Sequence, residues 1–390
     1  MPIGTKKLIG SLQNKMKGYI STTGLFFLLL IACPSQGQYT LKSISKPAKE
    51  LYKLELIVGD LANPWGMAFL PDGSILISEK SGTLILFKEG ERKRISNPPK
   101  SVVIGQGGLM DIELHPNYEE NGWIYFTYAS DEGEGRGANT AIMRAKLQKN
   151  SLKEHEVLYK ASPNTDAFAH WGSRIEFDRN GYVYFSIGDR FKRDENPQNI
   201  QKDGGKIYRL KDDGTVPEDN PFYAVEGAKK AIYSYGHRNP QGMAINPLTG
   251  RIWIHEHGPK GGDEINILKA GKNYGWPKVT FGKNYDGTKI TDKQFMLGME
   301  PPTYYWIPSI APCGMTFVSS DKYPLLKGDL LVGSLKFGYL EWLGIEDLQV
   351  INRTKLFENI GRVRNVRQAD DGYLYIAVEG KGIYRIVPNP

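Results

Sequence analysis

The sequence has little cysteine: two residues in 390, Cys33 and Cys313. Cys33 lies at the end of an N-terminal apolar run, so only Cys313 remains in the body of the chain. This excludes an intramolecular disulfide in the folded domain, even in an oxidising compartment that would permit one. We therefore expect packing to stabilise the fold.

The sequence also lacks an apolar run long enough to span a membrane as a helix. Residues 25–32 form a short apolar stretch that follows four lysines with no acidic residue among them. This layout is typical of a secretory signal peptide, so we predict export to the periplasm or the outer surface. Two processing sites remain open. Leu30-Ile31-Ala32-Cys33 resembles a lipobox and is favoured, with Cys33 as a lipid anchor, whereas Ser35-Gln36-Gly37 permits ordinary cleavage after Gly37.

A strong charge imbalance is absent once the leader is set aside. The formal charge of +7 includes the four leader lysines, so +3 remains for the mature chain. No basic stripe interleaved with aromatic residues is present, which argues against a nucleic-acid partner. No Gly-rich phosphate loop joins a strand to a helix, so a nicotinamide or ATP fold has no support.

What the sequence does contain is a repeated unit: a short apolar segment, a polar turn near Gly or Asn, and an alternating apolar strand. The pattern predicts a β-hairpin each time, because Gly and Asn readily adopt the positive φ of tight turns. Six copies occur, at residues 66–77, 111–128, 174–187, 242–255, 314–332 and 363–378.

Six hairpins spaced by roughly 45 to 70 residues fit four-stranded propeller blades with variable loops. A β-sandwich would have similar hairpins, but six copies of one unit favour radial repetition. We therefore predict an all-β, six-bladed β-propeller of four-stranded antiparallel blades over residues 51–390. Residues 1–33 are the predicted signal peptide, with the start at Met1 or Met16 left open, and residues 34–50 a polar tether.

Two long segments, residues 189–231 and 258–308, are predicted to lie between blades, and long ordered loops are often functional. His170 directly precedes the third repeat, and Arg238 and Asn239 precede the fourth, so adjacent blades direct polar groups to one rim. His170 is a candidate general base, although a histidine beside tryptophan is more often structural. Arg238 is equally compatible with a surface ion pair.

Three cations belong to the fifth and sixth repeats. Lys336 ends a strand, and Arg362 and Arg364 alternate onto one face of the next. With Arg238 they could form a basic pocket for a compact polyanion such as a multi-carboxylate cofactor, the alternative being a solvated rim.

The run from His255 to Glu264 suggests a metal. Two histidines two residues apart share a strand face, but no third His or Cys follows, which makes zinc the weaker interpretation. The Gly and Pro turns present carbonyl oxygens, and Asp263 and Glu264 add carboxylates, a hard oxygen set suited to calcium.

Several motifs together resemble a known family, the soluble aldose sugar dehydrogenases of the glucose/sorbosone dehydrogenase type, which depend on pyrroloquinoline quinone (PQQ). The resemblance covers residues 61–386. Its most specific stretches are Gly105-Gln106-Gly107-Gly108-Leu109, His170-Trp171-Gly172-Ser173-Arg174, Arg238-Asn239-Pro240-Gln241-Gly242, Glu256-His257-Gly258-Pro259, Gly261-Gly262-Asp263-Glu264-Ile265-Asn266 and Lys272-Asn273-Tyr274-Gly275-Trp276-Pro277.

The resemblance implies catalytic roles for three residues. It implies that His170 takes the proton of the sugar C1 hydroxyl while hydride passes to C5 of PQQ. Gln106 resembles a glutamine beside the base and the quinone. Arg238 and its neighbour Asn239 resemble residues near the reacting carbonyl, where a cation stabilises developing negative charge.

The resemblance also implies cofactor contacts. Lys336, Arg362 and Arg364 resemble the positions that hold the PQQ carboxylates, in agreement with the basic pocket. Tyr285 resembles a tyrosine near the quinone face. Ser309, in Ile307-Pro308-Ser309, resembles the position where some members carry Trp-Pro-Thr, which leaves substrate preference open.

For calcium, the resemblance points to two groups of residues. The carbonyl oxygens of Gly258 and Pro259 resemble those that bind the calcium polarising PQQ. Glu264 and Tyr274 resemble a second family calcium site.

The function predicted is PQQ- and calcium-dependent oxidation of an aldose at C1 to its lactone by a monomer or homodimer, with electrons passed to an unidentified acceptor. One alternative is a non-catalytic propeller that binds carbohydrate or protein on the same face. Another is a metal-dependent lactonase, which needs more channel carboxylates than the sequence offers.

Overall fold

The computed structural model describes residues 48–389, so the predicted leader, Cys33 and most of the predicted tether lie outside the described residues. The described chain is built almost entirely of strands, with two one-turn helices, α1 (Ala48–Leu51) and α2 (Tyr118–Asn121). The last residues of the predicted tether thus belong to α1. None of the described helices is long and apolar enough to span a membrane.

The strands form six four-stranded antiparallel sheets, which confirms the predicted six-bladed β-propeller. Blade one is β2 (Pro64–Phe69), β3 (Ile75–Glu79), β4 (Leu84–Lys88) and β5 (Glu91–Arg94). Blade two is β6 (Leu109–Leu114), β7 (Trp123–Ser130), β8 (Asn139–Gln148) and β9 (Ser151–Lys160). Blade three is β10 (Ile175–Phe177), β11 (Val183–Ile187), β12 (Lys206–Leu210) and β13 (Ile232–Tyr235).

The remaining three blades follow the same order. Blade four is β14 (Pro240–Ile245), β15 (Ile252–Glu256), β16 (Asp263–Ile267) and β17 (Tyr304–Trp306). Blade five is β18 (Pro312–Phe317), β19 (Leu330–Ser334), β20 (Leu340–Glu346) and β21 (Gln349–Leu356). Blade six is β22 (Val363–Gln368), β23 (Leu374–Val378), β24 (Gly382–Pro388) and, from the start of the chain, β1 (Tyr52–Val58).

Each predicted repeat forms the first two strands of a blade, and the first strands contact one another in a closed ring. Strand β1 completes blade six by pairing with β24, so strands from the two ends of the described chain close the ring. The copy in blade two differs from a simple hairpin because α2 lies in its turn. The segments 189–231 and 258–308, predicted to lie between blades, instead lie within blades three and four, since they contain β12, β16 and β17.

The apolar core lies between the faces of adjacent blades. Leu76 of blade one packs in one cluster with Ile112 and Phe126 of blade two, and Trp342 of blade five packs with Ile376 of blade six. Fully burying such a side chain contributes about 1.5–3 kcal/mol. Each blade therefore depends on its neighbours for burial.

The axis of the disc is filled by the buried side chain of Arg174, at the entry to β10 in blade three. The guanidinium contacts one residue from each of the other five blades: the Trp65 ring at 4.1 Å, Asp111 Oδ1 at 3.0 Å, the Gln241 carbonyl oxygen at 2.8 Å, Cys313 Sγ at 3.3 Å and the Arg364 carbonyl oxygen at 2.7 Å. This arginine closes the axial channel.

The antiparallel pairing of the first two strands of each blade defines two rims. The chain enters the first strand and leaves the second at one rim, here called the upper rim, and the turn between them lies at the other, the lower rim. Residues that precede first strands and residues that follow second strands therefore share the upper rim.

Candidate active site

The predicted site residues lie on the upper rim or on the long loops of blade four. Gln106, His170, Arg238, Ser309 and Arg362 precede the first strands of blades two to six. Residues that follow second strands face them: Asp189 after β11, Gly258 after β15, Lys336 after β19 and Glu379 after β23. Nine separate loops thus contribute to one surface.

His170 forms a dyad with Asp189, a residue that sequence reasoning missed. The imidazole is buried, and its Nδ1 lies 2.6 Å from Asp189 Oδ1. Burial, followed by the charge of Arg238, lowers the pKa of His170 below its ordinary value. The neutral ring donates its Nδ1 proton to Asp189, which leaves Nε2 as an acceptor. This is the arrangement that a general base requires.

The Asp189 carboxylate is fixed by three donors. Besides His170, it accepts hydrogen bonds from Trp276 Nε1 at 2.7 Å and from the Phe191 amide at 2.9 Å. Burial opposes its ionisation, but the hydrogen bond from His170 and the nearby Arg238 outweigh this and lower its pKa. Asp189 therefore remains a carboxylate and holds the imidazole in one orientation.

The loop that carries His170 is strained and braced from blade two. His170 has a φ of 60°, unusual for a residue with a side chain. Its amide donates to Gln106 Oε1 at 3.1 Å, and the Gln106 amide donates to the Phe168 carbonyl oxygen at 2.7 Å. A Cβ on Gly105 would lie 2.1 Å from that same oxygen, so only glycine permits this approach. Gln106 thus contacts the main chain of the predicted base.

A second unpredicted residue, Arg190, clamps the same loop. Its fully buried guanidinium donates to the carbonyl oxygens of Ala167 at 2.7 Å and Ala169 at 2.6 Å, and stacks 3.5 Å from the Trp171 ring. Burial lowers the pKa of Arg190 to about 9. Because this value is still above neutral pH, the guanidinium remains cationic. The residue after Asp189 therefore holds the backbone before His170 and the ring of the residue after it.

Arg238 lies beside the dyad in blade four. Its amide donates to Glu256 Oε2 at 2.6 Å, and its Nη1 donates to the carbonyl oxygens of His257 at 3.1 Å and Gly258 at 2.7 Å. Its buried Nε has no hydrogen-bond partner among the described residues. An unpaired buried donor of this kind marks a place where an acceptor from outside the chain would be stabilised.

Asn239 is buried behind the site. Its Oδ1 accepts a hydrogen bond from the Gly172 amide at 3.0 Å, and its carbonyl oxygen accepts one from His257. These contacts tie blade four to the loop after His170. The two adjacent blades that were predicted to act together are therefore joined directly.

Two of the three predicted cations, Arg362 and Arg364, share a carboxylate that was not predicted. Glu379 Oε2 accepts from Arg362 Nε at 2.5 Å, and its other oxygen accepts from Arg364 Nε at 2.8 Å, so both arginines lie on one face of β22. Burial works against ionisation of Glu379, but the two guanidiniums prevail and lower its pKa. The Lys336 side chain is exposed. One carboxylate thus faces two arginines, which leaves these three side chains net positive, and Arg362 Nη1 also donates to the carbonyl oxygen of Leu335, the residue before Lys336, at 3.1 Å.

The carbonyl oxygens predicted to bind calcium already accept hydrogen bonds from protein donors. Gly258 accepts from Arg238, and Pro259 accepts from Ser309 Oγ at 3.2 Å. A carbonyl oxygen has two lone pairs, so one remains on each. Asp263 fixes this turn, since its carboxylate accepts from the amides of Gly258 and Ala311, each at 2.8 Å.

Glu264 and Tyr274 line a small cleft with Glu256. Burial, and then the charge of Glu256, raises the pKa of Glu264 well above its ordinary value. The Tyr274 hydroxyl donates to Ile267 and accepts from the Lys269 amide, so its main-chain carbonyl is the atom left for a metal. The cleft holds about 10 Å³, enough for one water or ion and far too little for an organic cofactor.

Other metal arrangements find no support within residues 48–389, where no cluster of three or more His, Cys, Asp and Glu side chains could hold a metal ion. The rings of His255 and His257 face the carbonyl oxygens of Gly314 and Pro312. Tyr285 lies on a blade-four loop with 71% of its surface exposed, so its predicted position beside a cofactor remains a prediction.

The opposite rim carries a separate cavity of about 460 Å³. It is lined by lower-rim turns and by the ion pair of Glu113 with Arg367, and contains none of the predicted site residues. Arg174 and Asp111 lie between this cavity and the upper rim. We therefore place the candidate active site on the upper rim alone.

Comparison with known proteins identifies the family that shares this sequence and fold. The family model described as Glucose / Sorbosone dehydrogenase matches residues 61–385. The chain is 36% identical over 362 residues to the aldose sugar dehydrogenase YliI of Escherichia coli K12, covering 91% of this chain and 95% of the relative. The apo-form crystal structure of the soluble E. coli aldose sugar dehydrogenase matches with a TM-score of 0.81 at 35% identity, covering 87% of this chain and 100% of that one. The PQQ-bound aldose sugar dehydrogenase of Streptomyces coelicolor shares the fold, with a TM-score of 0.70 at 24% identity over 87% of this chain and 99% of that one.

Proposed function

The chain belongs to the glucose/sorbosone dehydrogenase family, and we propose that it oxidises an aldose at C1 to the lactone, with His170 as general base and PQQ as oxidant. Its relative in E. coli is an aldose sugar dehydrogenase, an oxidoreductase. The observation that carries the proposal is the His170–Asp189 dyad, in which a neutral imidazole is held by one nitrogen on the rim that nine loops share.

In the proposed step, Nε2 of His170 takes the proton of the C1 hydroxyl as the C1–H bond breaks and the carbonyl forms. Asp189 stabilises the imidazolium that results, as a carboxylate at hydrogen-bond distance from Nδ1 does. PQQ, when bound, supplies the two-electron oxidant that accepts the hydride. Arg238, beside the dyad, would stabilise negative charge on a reacting oxygen.

The residues present fit a polyanionic quinone. Arg362 and Arg364 provide two cations against the single carboxylate of Glu379, and the exposed Lys336 follows Leu335, whose carbonyl oxygen accepts from Arg362. The buried Nε of Arg238 lacks a partner among the described residues and would be satisfied by a quinone oxygen. The two arginines and Lys336 would hold the carboxylates of the cofactor.

Calcium is proposed at two places, with unequal support. Gly258 and Pro259 each keep one carbonyl lone pair, although Arg238 already places a positive charge beside the first. Glu264 fits better, because a cation would relieve its buried repulsion with Glu256. Tyr274 would contribute its main-chain carbonyl at this second place.

The deciding experiment is dye reduction by the purified apo-protein with a panel of aldoses, with PQQ and calcium added together, singly, or with a chelator in place of calcium. Turnover that requires both supports the proposal and ranks the sugars. Binding of PQQ without turnover indicates that the substrate lies outside the panel. Absence of PQQ binding favours the alternative of a propeller that only binds carbohydrate or protein.

Two sets of variants distinguish the general base from the residues proposed to bind PQQ. His170→Gln should abolish turnover and leave the affinity for PQQ unchanged, because the cationic group is untouched. The triple variant K336A/R362A/R364A should weaken PQQ binding, measured by fluorescence quenching of the apo-protein. Turnover retained by His170→Gln removes that residue from the mechanism.

We also propose that the protein is exported and either anchored through a lipid on Cys33 or released by cleavage after Gly37. The lysine-led apolar stretch of residues 25–32 supports export. Mass spectrometry of the mature N-terminus distinguishes a diacylated Cys33 from a free Gln38. Sedimentation of the same sample distinguishes monomer from homodimer.

A further inference from the structure

Two exposed phenylalanines lie side by side next to the proposed base. Phe168 is 61% exposed and Phe191 is 46% exposed, and their ring centroids are 4.9 Å apart. The Phe191 ring lies 4.3 Å from the imidazole of His170. Together the two rings extend an apolar surface outward from the reacting position.

The pair is held in place by the main chain on both sides. Phe191 has a φ of 55°, strained for a bulky residue, and its amide is fixed by Asp189. The carbonyl oxygen of Phe168 accepts from the amide of Gln106 and from Trp171 Nε1. Strain that the surrounding contacts maintain is concentrated at functional positions. These rings are therefore presented by a built surface and not by a mobile loop tip.

We propose that Phe168 and Phe191 form a carbohydrate-stacking surface that selects reducing oligosaccharides over monosaccharides; this inference rests on the proposed sugar oxidation. The electron-rich face of an aromatic ring attracts the polarised C–H groups on the apolar face of a pyranose. Phe191 lies beside the base and stacks on the reacting sugar. Phe168 lies one ring further out and stacks on the next sugar of the chain.

The order of the two rings gives different expectations for the two variants. Phe191→Ala should lower kcat/KM for glucose and for a reducing disaccharide alike. Phe168→Ala should lower kcat/KM for the disaccharide roughly fivefold to tenfold and leave glucose within about twofold, since one aromatic contact is lost. Phe168→Trp should restore the preference. Phe295→Ala is the matched control, because Phe295 is equally exposed at 61% and packs instead against Phe281.

Calorimetry with a disaccharide methyl glycoside tests the surface without turnover, because a blocked C1 hydroxyl cannot be oxidised. Wild-type protein should bind it, with affinity reduced roughly fivefold to tenfold in Phe168→Ala and unchanged in Phe295→Ala. Binding by a protein that never oxidises sugar would sink the dehydrogenase proposal and keep the stacking surface. Equal effects of Phe168→Ala on glucose and disaccharide, or no effect on either ligand, would overturn the stacking surface even in an active dehydrogenase. Failure of the wild type to bind the glycoside would also overturn it.

Discussion

Replacing Asp189 by asparagine takes one acceptor away from a group that serves three donors. One carboxylate oxygen accepts from His170 Nδ1 and the Phe191 amide, and the other accepts from Trp276 Nε1. An asparagine offers one oxygen and one NH₂ group. If the oxygen faces His170, the NH₂ meets the Trp276 donor. If the NH₂ faces His170, the imidazole must carry its proton on Nε2 and cannot act as a base.

Both orientations predict measurable losses. A buried donor left unpaired costs about 1–3 kcal/mol of unfolding free energy. Loss of a correctly held general base costs roughly 10²–10⁴-fold in kcat. Asp189 raises the pKa of His170 against burial and Arg238, so its removal should lower that pKa further and shift the acid limb of the rate profile to lower pH. A slower enzyme should therefore keep its residual activity into more acidic solution.

The assay combines dye-linked turnover over a pH series with NMR titration of the labelled His170 ring in the apo-protein. Asp219→Asn is the control, because Asp219 is an exposed carboxylate of the same blade that pairs with Arg209. Turnover within threefold of wild type in Asp189→Asn, or an acid limb that moves to higher pH, would refute the proposed dyad. The NMR titration tests the pKa shift even if the variant does not turn over.

Three further predictions concern stability. Arg174→Met leaves the buried Asp111 without its closest charged partner and should lower the free energy of unfolding in urea by about 3–5 kcal/mol. A loss below about 1 kcal/mol would contradict the role of Arg174 at the axis. Burial lowers the pKa of His255 from 6.5 to about 3, so the unfolded chain takes up a proton that the folded chain refuses. Its contribution to stability is present above pH 6.5 and is lost as pH falls towards 3, by about 1.4 kcal/mol per pH unit, and His255→Gln should remove that part of the slope in unfolding experiments. Calcium at about 100 times its Kd should stabilise the wild type by about 2.7 kcal/mol and raise its Tm, and Glu264→Gln should abolish this rise. If calcium raises the Tm of the wild type and of the variant equally, it binds at a site other than Glu264.

The six hairpins could be predicted because each is local: turn, alternation and spacing lie within about 20 residues of one another. Strand β12 could not. Lys206 and Arg209 make it look polar, yet all five of its residues are buried. Its lysine is satisfied by the carbonyl oxygens of Asn196 and Gly204, at 2.5 and 2.7 Å, contacts that no sequence pattern reveals. The segment therefore looked like a loop between blades.

The site was predictable where motifs carried it and not where partners meet across the fold. Asp189 lies 19 residues after His170, on the far side of a hairpin. The position two residues after a second strand was the available signal, since the same position identified Lys336. Glu379 was missed in the same way, although it also follows a second strand and pairs both predicted arginines.

The position of Arg174 at the axis affects how the sugar and the electron acceptor reach the site. Because its guanidinium reaches all the other blades, Arg174 occupies the axis between the lower rim and His170 in the part of the chain that the structure describes. Under the proposed function, the sugar and any soluble electron acceptor would then both reach the site from the upper rim, one after the other. Such an enzyme alternates between two half-reactions and shows ping-pong kinetics. At high concentration the sugar and the acceptor compete for the same site, so excess sugar should slow electron transfer to the acceptor.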